Sequence, residues 1–176
     1  MIIPLQLVCY NSCMNDAISK VKQIIKENIY CTIATATADG EPWVSPVFYG
    51  YDDKYNIYWI SDKNAKHSQL VRQNPRASIV FFNSKAPEGE GDGVYIQATV
   101  SELNDKKEAE KGVAIRDSRV KVEEYRVKKL DEVLGDGEWR VYKATPNNIS
   151  KLTEGTYVNG QYIDKREDVK LADSNF

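Results

Sequence analysis

Histidine, cysteine and long apolar runs are scarce in this sequence of 176 residues, and each scarcity excludes a class of protein. One histidine and three cysteines cannot supply a usual zinc site or a disulfide framework, so we expect a reducing cytoplasm and no structural metal. The longest apolar stretch, residues 2–10, contains Pro4 and is far shorter than the roughly 20 residues that cross a bilayer. It also lacks the basic flank of a signal peptide. The sequence therefore predicts neither a membrane protein nor an exported one.

An excess of charge of one sign is also missing. Twenty-four Lys and Arg residues face 26 Asp and Glu residues, which gives a net charge of -2. Nucleic-acid-binding proteins usually carry a basic excess, so we expect no nucleic-acid partner. The 41% of hydrophobic and 28% of charged residues are typical of a water-soluble globular protein with its own core.

The first 15 residues carry no charged side chain. Asn15 or Asp16 is a suitable cap for the amphipathic helix that the pattern predicts directly after them. We therefore expect the chain before this cap to be flexible, with Met14 as a candidate native start. The predicted division is a flexible extension over residues 1–15, a main domain over 16–155, and a hairpin with a polar tail over 156–176.

Most of the remaining chain has the pattern of short β-strands separated by turns. Asp39-Gly40 is a hairpin turn, and a further tight turn is expected at residues 158–161. Strands are predicted over residues 30–37, 43–51, 57–60, 77–82, 94–103, 139–144 and 149–152, with helices over 61–73 and 104–134 and a turn at 145–148. Six or seven short strands with two or three helices favour a mainly β fold, an antiparallel barrel with flanking helices.

Familiar catalytic motifs are absent from the sequence. It contains no G-x-S-x-G nucleophile motif, no phosphate-binding G-x-x-x-x-G-K motif and no paired metal ligands. A protein without its own nucleophile and base most readily obtains reactivity from an organic cofactor, which the protein binds and orients. Cys31 does not change this expectation, since it alternates with polar neighbours in a predicted strand and is expected to be a small buried residue.

One segment combines the features of an anion site. A predicted strand ends and a helix begins near Ser61, and Lys66, His67 and Ser68 follow within the first turns. The N–H groups at a helix N-terminus, together with these donors, suit a phosphate monoester. The alternative is that Lys63, Lys66 and His67 belong to a solvated helix face and that Ser61 is only a cap.

Six stretches of the sequence match those of a known family: residues 39–47, 57–61, 66–68, 74–77, 93–97 and 140–146. Together they resemble the pyridoxamine 5'-phosphate oxidase-like, FMN-binding split-barrel family. The likeness covers roughly residues 17–152, and the order of the motifs carries more weight than any one of them. The resemblance implies a split antiparallel β-barrel that binds FMN between two subunits of a homodimer.

The resemblance also assigns cofactor-binding residues. By this likeness the flavin ring lies along the second strand, the ribityl chain lies beside the end of the third, and the phosphate lies at the following helix. The ring contacts are Val44, Ser45, Pro46 and Val47; the ribityl contacts are Ile60 and Ser61; the phosphate contacts are Lys66, His67 and Ser68; Trp139 and Arg140 approach the partner's flavin. The alternative for Val44, Val47, Trp59 and Trp139 is packing in the barrel core.

The sequence departs from the founding oxidase of the family. The Arg-x-His pair with which that enzyme reads its substrate is absent, and Gly93 replaces a glutamine that touches the flavin. We therefore expect an uncharacterised branch, an FMN-dependent oxidoreductase that acts on a small molecule with a nicotinamide nucleotide as candidate electron donor. A flavin-binding protein that stores or senses the cofactor is the alternative; a deazaflavin or heme binder ranks below both. No catalytic side chain is assigned.

Overall fold

A computed structural model describes residues 5–170 of the chain, and the side chains from Asp16 onward. It contains three α-helices, seven strands and two single 3-10 turns in this part of the chain. The helices are α1 (Leu5–Glu27), α2 (Lys66–Gln73) and α3 (Lys106–Asp117), and the 3-10 turns are Glu123–Tyr125 and Leu130–Glu132. The strands are β1 (Tyr30–Ala36), β2 (Pro42–Tyr51), β3 (Ile57–Asp62), β4 (Arg76–Phe82), β5 (Gly93–Glu102), β6 (Trp139–Val158) and β7 (Gln161–Asp168).

The strands form one antiparallel sheet that closes on itself. Their order is β3-β2-β1-β4-β5-β6-β7, and β3 also pairs with β6. The register of that closing ladder runs from Ile57 opposite Ala144 to Asp62 opposite Trp139. Six strands therefore enclose a barrel, and β7 lies outside it on the second half of β6. This confirms the predicted split antiparallel β-barrel.

The barrel interior is filled by alternate side chains of the strands. In β1, Cys31, Ile33 and Thr35 are buried while their neighbours are more exposed. Trp59 stacks on Tyr142 across the closing ladder, with ring centroids 5.5 Å apart. Burial raises the pKa of the Cys31 thiol to about 12. Cys31 therefore stays protonated and packs as a small apolar residue, as expected from the sequence.

Helix α1 is fastened to this core by a buried tyrosine. The Tyr49 hydroxyl lies 2.6 Å from the carbonyl oxygen of Ile25, to which it donates, and 2.9 Å from that of Asn28. The helix starts at Leu5, so the predicted cap at Asn15 or Asp16 was wrong. No glycine or proline lies between Leu5 and Glu27, so nothing in the chain interrupts the helix earlier. Residues 1–4 lie outside the described part, and the division into domains stays a prediction.

Both predicted long helices are shorter in the structure. Strand β3 continues through Ser61 to Asp62, and α2 begins only at Lys66. In the charge-rich segment 104–134, α3 ends at Asp117, and only two short 3-10 turns follow. The scattered apolar residues after Asp117 offer no continuous stripe that a longer helix could bury. None of the helices described here is both long and apolar enough to span a membrane.

Strand β6 is continuous where the sequence predicted a turn. Its register against β5 shifts between Gln97 and Ala98, which leaves Asn147 without a partner in the ladder. Pro146 has no N–H group to donate to the ladder, and a bulge in the strand tolerates this. The same proline is the reason why Thr145–Asn148 was predicted as a turn. The turn at residues 158–161 is confirmed, with φ of 52° at Asn159 and 78° at Gly160. Strand β7 forms the second arm of the predicted hairpin and continues into residues predicted as polar tail. Residues 171–176 lie outside the described part.

Helix α3 packs on the outer face of β2, β3 and β6 and buries a second apolar cluster. Tyr58, Ala109 and Val141 are among its buried members. The approach is closest at Gly50, where an added Cβ would lie 2.4 Å from the carbonyl oxygen of Ile115. Because that neighbour is backbone, it cannot rotate away. Only glycine at this position lets α3 lie against β2.

We predict that Gly50→Ala lowers the free energy of unfolding by about 1–3 kcal/mol, because α3 must move away from β2. Urea unfolding followed by circular dichroism measures the change. Gly91→Ala is the matched control, since a Cβ there meets no atom within 4 Å. Equal stabilities of the two variants would contradict the close approach of α3.

Candidate functional site

The barrel is split beside the first half of β2. Strand β2 pairs with β1 from Pro42 to Phe48 but with β3 only from Tyr49 to Tyr51. Over residues 5–170, no other strand pairs with the β3-facing edge of β2 before Tyr49. The backbone N–H and C=O groups on this edge are therefore left to bond with solvent or with a ligand.

The predicted cofactor-binding residues converge on this split. Continuing the register from Tyr49 and Trp59 places Val47 level with Ser61 at the end of β3. Helix α2, which begins four residues after Asp62, contacts both β1 and β2. On the far side of β3, Ser61 is paired with Arg140. The ends of β2, β3 and β6 and the start of α2 thus lie together.

The four predicted ring contacts on β2 differ in their surroundings. Val44 is 63% exposed, Pro46 is exposed and Ser45 is half-buried, so these three are available to a ligand. The side chains of Val47 and Trp59 are buried in the barrel core, as the packing alternative expects, and a backbone contact of Val47 with a flavin stays a prediction. Trp139 is 47% exposed and does not belong to the core.

Two predicted ribityl contacts and one phosphate contact are largely enclosed. Ile60 packs against the apolar cluster under α3, and Ser61 is buried. The buried Ser68 hydroxyl donates to the carbonyl oxygen of Asp62 at 2.8 Å. Ser68 thereby fixes α2 to the end of β3, and its single hydroxyl proton is already used in this contact.

The N-terminus of α2 has donors without a side-chain acceptor. Ala65 occupies the cap position, and no side-chain hydrogen bond caps this end. Lys66 is exposed at the first helical position and forms no ion pair with any residue from 16 to 170. Free N–H groups and an unpaired ammonium at a helix N-terminus favour an anion.

His67 adds a buried polar atom to the same end of α2. Its side chain is half-buried, and Nε2 is buried with no hydrogen-bond partner among the described residues. Burial lowers the pKa of His67 below its ordinary value of 6.5. The imidazole is therefore neutral at pH 7 and has unused hydrogen-bonding capacity.

Arg140 is held by the loop that precedes β6. Its guanidinium is 11% exposed and donates to the carbonyl oxygens of Gly137 at 2.8 Å and Trp139 at 2.6 Å. It also lies 3.5 Å from Glu102. These contacts keep the start of β6 in place, while the predicted approach of Arg140 to a partner's flavin stays a prediction.

Sequence reasoning missed a set of polar contacts that joins this loop to the β3–α2 turn. Lys63 Nζ donates to the carbonyl oxygen of Gly137 at 2.9 Å, and Arg72 donates to that of Lys63 at 2.6 Å. Arg72 is also paired with Glu102 at 2.8 Å. Lys63 and Gly137 are 74 positions apart, so no local pattern indicates their contact. We call Lys63, Arg72, Glu102 and Arg140 the polar clamp.

The arrangement is suited to binding a flat molecule with an anionic tail. The edge of β2 offers backbone groups in a line, and the start of α2 offers N–H groups, Lys66 and the His67 imidazole. Among the predicted site residues, His67 alone titrates near neutral pH. The site thus provides binding and orientation but no nucleophile–base pair.

We predict that the His67 imidazole titrates below pH 6.5, and NMR observes it without ambiguity because the chain has one histidine. In the unfolded chain this residue takes up a proton at higher pH than in the folded protein. Stability is therefore lost as pH falls from 6.5 through the folded-state pKa. His67→Gln should remove this part of the pH dependence in urea unfolding. A titration at or above pH 6.5 would be inconsistent with the buried imidazole.

Solved structures show the same fold at low sequence identity. A heme-binding protein from Mycobacterium smegmatis has a TM-score of 0.63 at 18% identity, over 85% of this chain and 57% of that protein. The heme storage protein HutZ from Vibrio cholerae has a TM-score of 0.61 at 16% identity, over 73% of this chain and 89% of its own. A FAD-binding protein from Mesorhizobium loti has a TM-score of 0.57 at 20% identity, over 74% and 89%.

At these identities the solved structures establish the fold alone, and this chain spans 57% of the length of the mycobacterial protein. No curated protein sequence matches the chain. The family model of pyridoxamine 5'-phosphate oxidase matches residues 18–151, which is most of the chain and includes every residue of the split. This chain therefore belongs to the pyridoxamine 5'-phosphate oxidase family.

Proposed function

We propose that this protein is a cytoplasmic FMN-dependent oxidoreductase of unassigned small-molecule substrate, with the flavin bound at a homodimer interface. The observation that carries the proposal is the unpaired edge of β2, which leads to the uncapped N-terminus of α2. A flavin mononucleotide has a flat ring system and a phosphate monoester, and the split offers a matching surface for each. The family supports the same assignment.

The residues at the split fit FMN part by part. Lys66, His67 and the first N–H groups of α2 would hold the phosphate, and the orphaned Nε2 of His67 would gain a partner. Ile60 and Ser61 would flank the ribityl chain. The edge residues Val44, Ser45 and Pro46 would lie along the ring, and Val47, whose side chain is buried, would contribute backbone groups only. Bound FMN supplies hydride or electron transfer, for which the protein needs no nucleophile of its own.

Proton linkage at His67 follows from its surroundings. Burial lowers the pKa of the free imidazole, whereas a phosphate dianion within hydrogen-bonding distance would raise it. Binding would therefore be accompanied by proton uptake at Nε2 or Nδ1. Affinity for FMN is expected to increase as pH falls through the pKa of His67 in the complex.

The outer face of the sheet supports the proposed dimer. Val44 on β2 and Phe82 on β4 are exposed apolar side chains on the two strands that flank β1. Between them, Ala34 and Ser78 are paired small residues that leave this face flat. Apolar surface of this kind is usually covered by a partner. A second copy seated there would bring its Trp139 and Arg140 towards the flavin.

Flavin binding without turnover is the second candidate. It is favoured by the absence of any titratable side chain other than Lys66, His67 and Arg140 among the predicted cofactor contacts. The unpaired edge of β2 favours the enzyme, because no strand in the described part of the chain covers it and a substrate can reach a ring that lies there. Reduction of the bound flavin by NADH or NADPH in the absence of oxygen distinguishes the two candidates.

We predict that the purified protein retains FMN after removal of excess cofactor, with a two-band absorption spectrum and nearly equimolar flavin. Lys66→Glu should weaken FMN binding by about tenfold or more, since a carboxylate would face the phosphate. Quenching of FMN fluorescence measures the dissociation constant.

The matched control for this variant is Lys106→Glu, which makes the same change at the first residue of α3. It should leave the dissociation constant unchanged. No retained flavin would overturn the proposal. An equal effect of both variants would remove Lys66 from the site.

We predict that light scattering gives twice the chain mass of 20.0 kDa. Ala34→Arg should convert the dimer to monomers, because a long charged side chain would stand on the flat face between β1, β2 and β4. Ala114→Arg, on the exposed side of α3, should leave the dimer intact. Monomers that still hold FMN would contradict the shared interface.

A further inference from the structure

A second cavity lies at the junction of α1 and β1, and we call it the basic cavity. Its volume is about 610 Å³, within the range of roughly 300–1,000 Å³ that is usual for small-molecule sites. Its walls come from the end of α1, the start of β1, β2 and the segment after α3. Lys26, Tyr30, Phe48, Arg119, Lys121 and Tyr125 are the lining residues that matter for its chemistry. None of the predicted cofactor-binding residues lines it.

The cavity carries an excess of positive charge. Lys26, Arg116, Arg119 and Lys121 line it, whereas Glu27 is the single acidic residue in the lining. Arg116 is neutralised by Asp117 at 2.6 Å. The other three cations form no ion pair with any side chain between residues 16 and 170. The potential inside the cavity is therefore positive although the whole chain carries -2.

Arg119 is held in place by groups that do not neutralise its charge. It donates to the carbonyl oxygen of Asn28 at 2.6 Å and to that of Lys26 at 3.0 Å. Its guanidinium also lies over the Tyr49 ring, 4.4 Å from the centroid. Carbonyls and rings orient a guanidinium but carry no net charge, so Arg119 can still attract an anion.

Aromatic side chains form the other walls. Tyr30 is 60% exposed and meets the edge of Phe48, with ring centroids 6.1 Å apart. Tyr125 is 66% exposed on the segment after α3. Aromatic rings left this open to water gain from contact with another flat, apolar surface. The walls thus offer stacking surface beside the cationic side chains.

The segment that carries Tyr125 is fixed by buried polar contacts. Arg116 donates to the carbonyl oxygen of Tyr125 and to the Asp117 carboxylate, both at 2.6 Å. The N–H of Val127 donates to the other oxygen of Asp117 at 3.0 Å, and Arg126 donates to the Asp117 carbonyl at 2.8 Å. Because these groups hold both ends of the wall, the cavity is formed before any ligand enters.

We propose that the basic cavity is a second ligand site, which binds a flat molecule carrying a carboxylate, sulfonate or phosphate group. The aromatic walls take the flat part, and Lys26, Arg119 and Lys121 take the anionic group. This site does not use the split of the barrel, so the proposal stands or falls independently of FMN.

Calorimetric titration of the full-length protein with two probes tests the site. 1-Naphthoate is a flat anion, and 1-naphthalenemethanol has the same ring system without the charge. Naphthoate should bind about tenfold more tightly, and Tyr125→Ala should weaken both probes. Lys26→Glu and Lys121→Glu should each weaken naphthoate severalfold and leave the neutral probe unchanged. All of these titrations are made with and without FMN.

Lys111→Glu is the matched control, because it makes the same charge change on α3 outside the cavity lining. It should bind naphthoate as the unmodified protein does. Equal binding of the two probes would overturn the proposal. So would an effect of Lys111→Glu as large as that of Lys121→Glu, since the attraction would then belong to the whole surface. Circular dichroism of each variant confirms that a lost interaction is not lost folding.

Discussion

Pairing of β3 with β6 is the constraint on which the rest of this structure depends. Strand β3 is bonded to β6 along its whole length, from Ile57 to Asp62, but to β2 over three residues only. Because β3 reaches β2 with only three residues, the β3-facing edge of β2 before Tyr49 has no neighbouring strand in the described part of the chain. The stacked rings of Trp59 and Tyr142 reinforce the ladder from inside. Closure of the barrel therefore creates the split in which we propose that the flavin binds.

The polar clamp connects α2 and the β3–α2 turn to the start of β6. Arg72 belongs to α2, Glu102 to β5, and Arg140 to β6, and their contacts meet at the Glu102 carboxylate. Lys63 adds a direct link from the β3–α2 turn to the loop before Trp139. Most of the N–H groups of the clamp donate to backbone carbonyl oxygens. These contacts hold the loops in place without occupying the proposed anion site. By contrast, the Lys66 ammonium forms no ion pair and His67 Nε2 has no hydrogen-bond partner within residues 16–170, so both are available to a ligand.

The two candidate sites differ in how their charge is arranged. At the split, a single lysine stands at a helix N-terminus and a neutral imidazole is buried beside it. In the basic cavity, several cations surround aromatic rings, and Arg119 is oriented by carbonyls instead of a carboxylate. The first arrangement suits the end of a long cofactor, and the second suits a compact flat anion. We therefore propose separate positions on one chain for a cofactor and for a second ligand.

The sequence by itself determined the elements whose signals are local. Alternation in β1, the Asp39-Gly40 turn and the order of motifs along the chain were enough for β1 to β5, the split barrel and the family. Tertiary structure decided the features that depend on distant partners. These are the bulge next to Pro146, the early end of α3, the burial of Val47 and the exposure of Val44. The polar clamp and the basic cavity also belong to this second group. Each joins residues far apart in the chain, and no periodicity in a sequence records which side chains meet after the barrel closes.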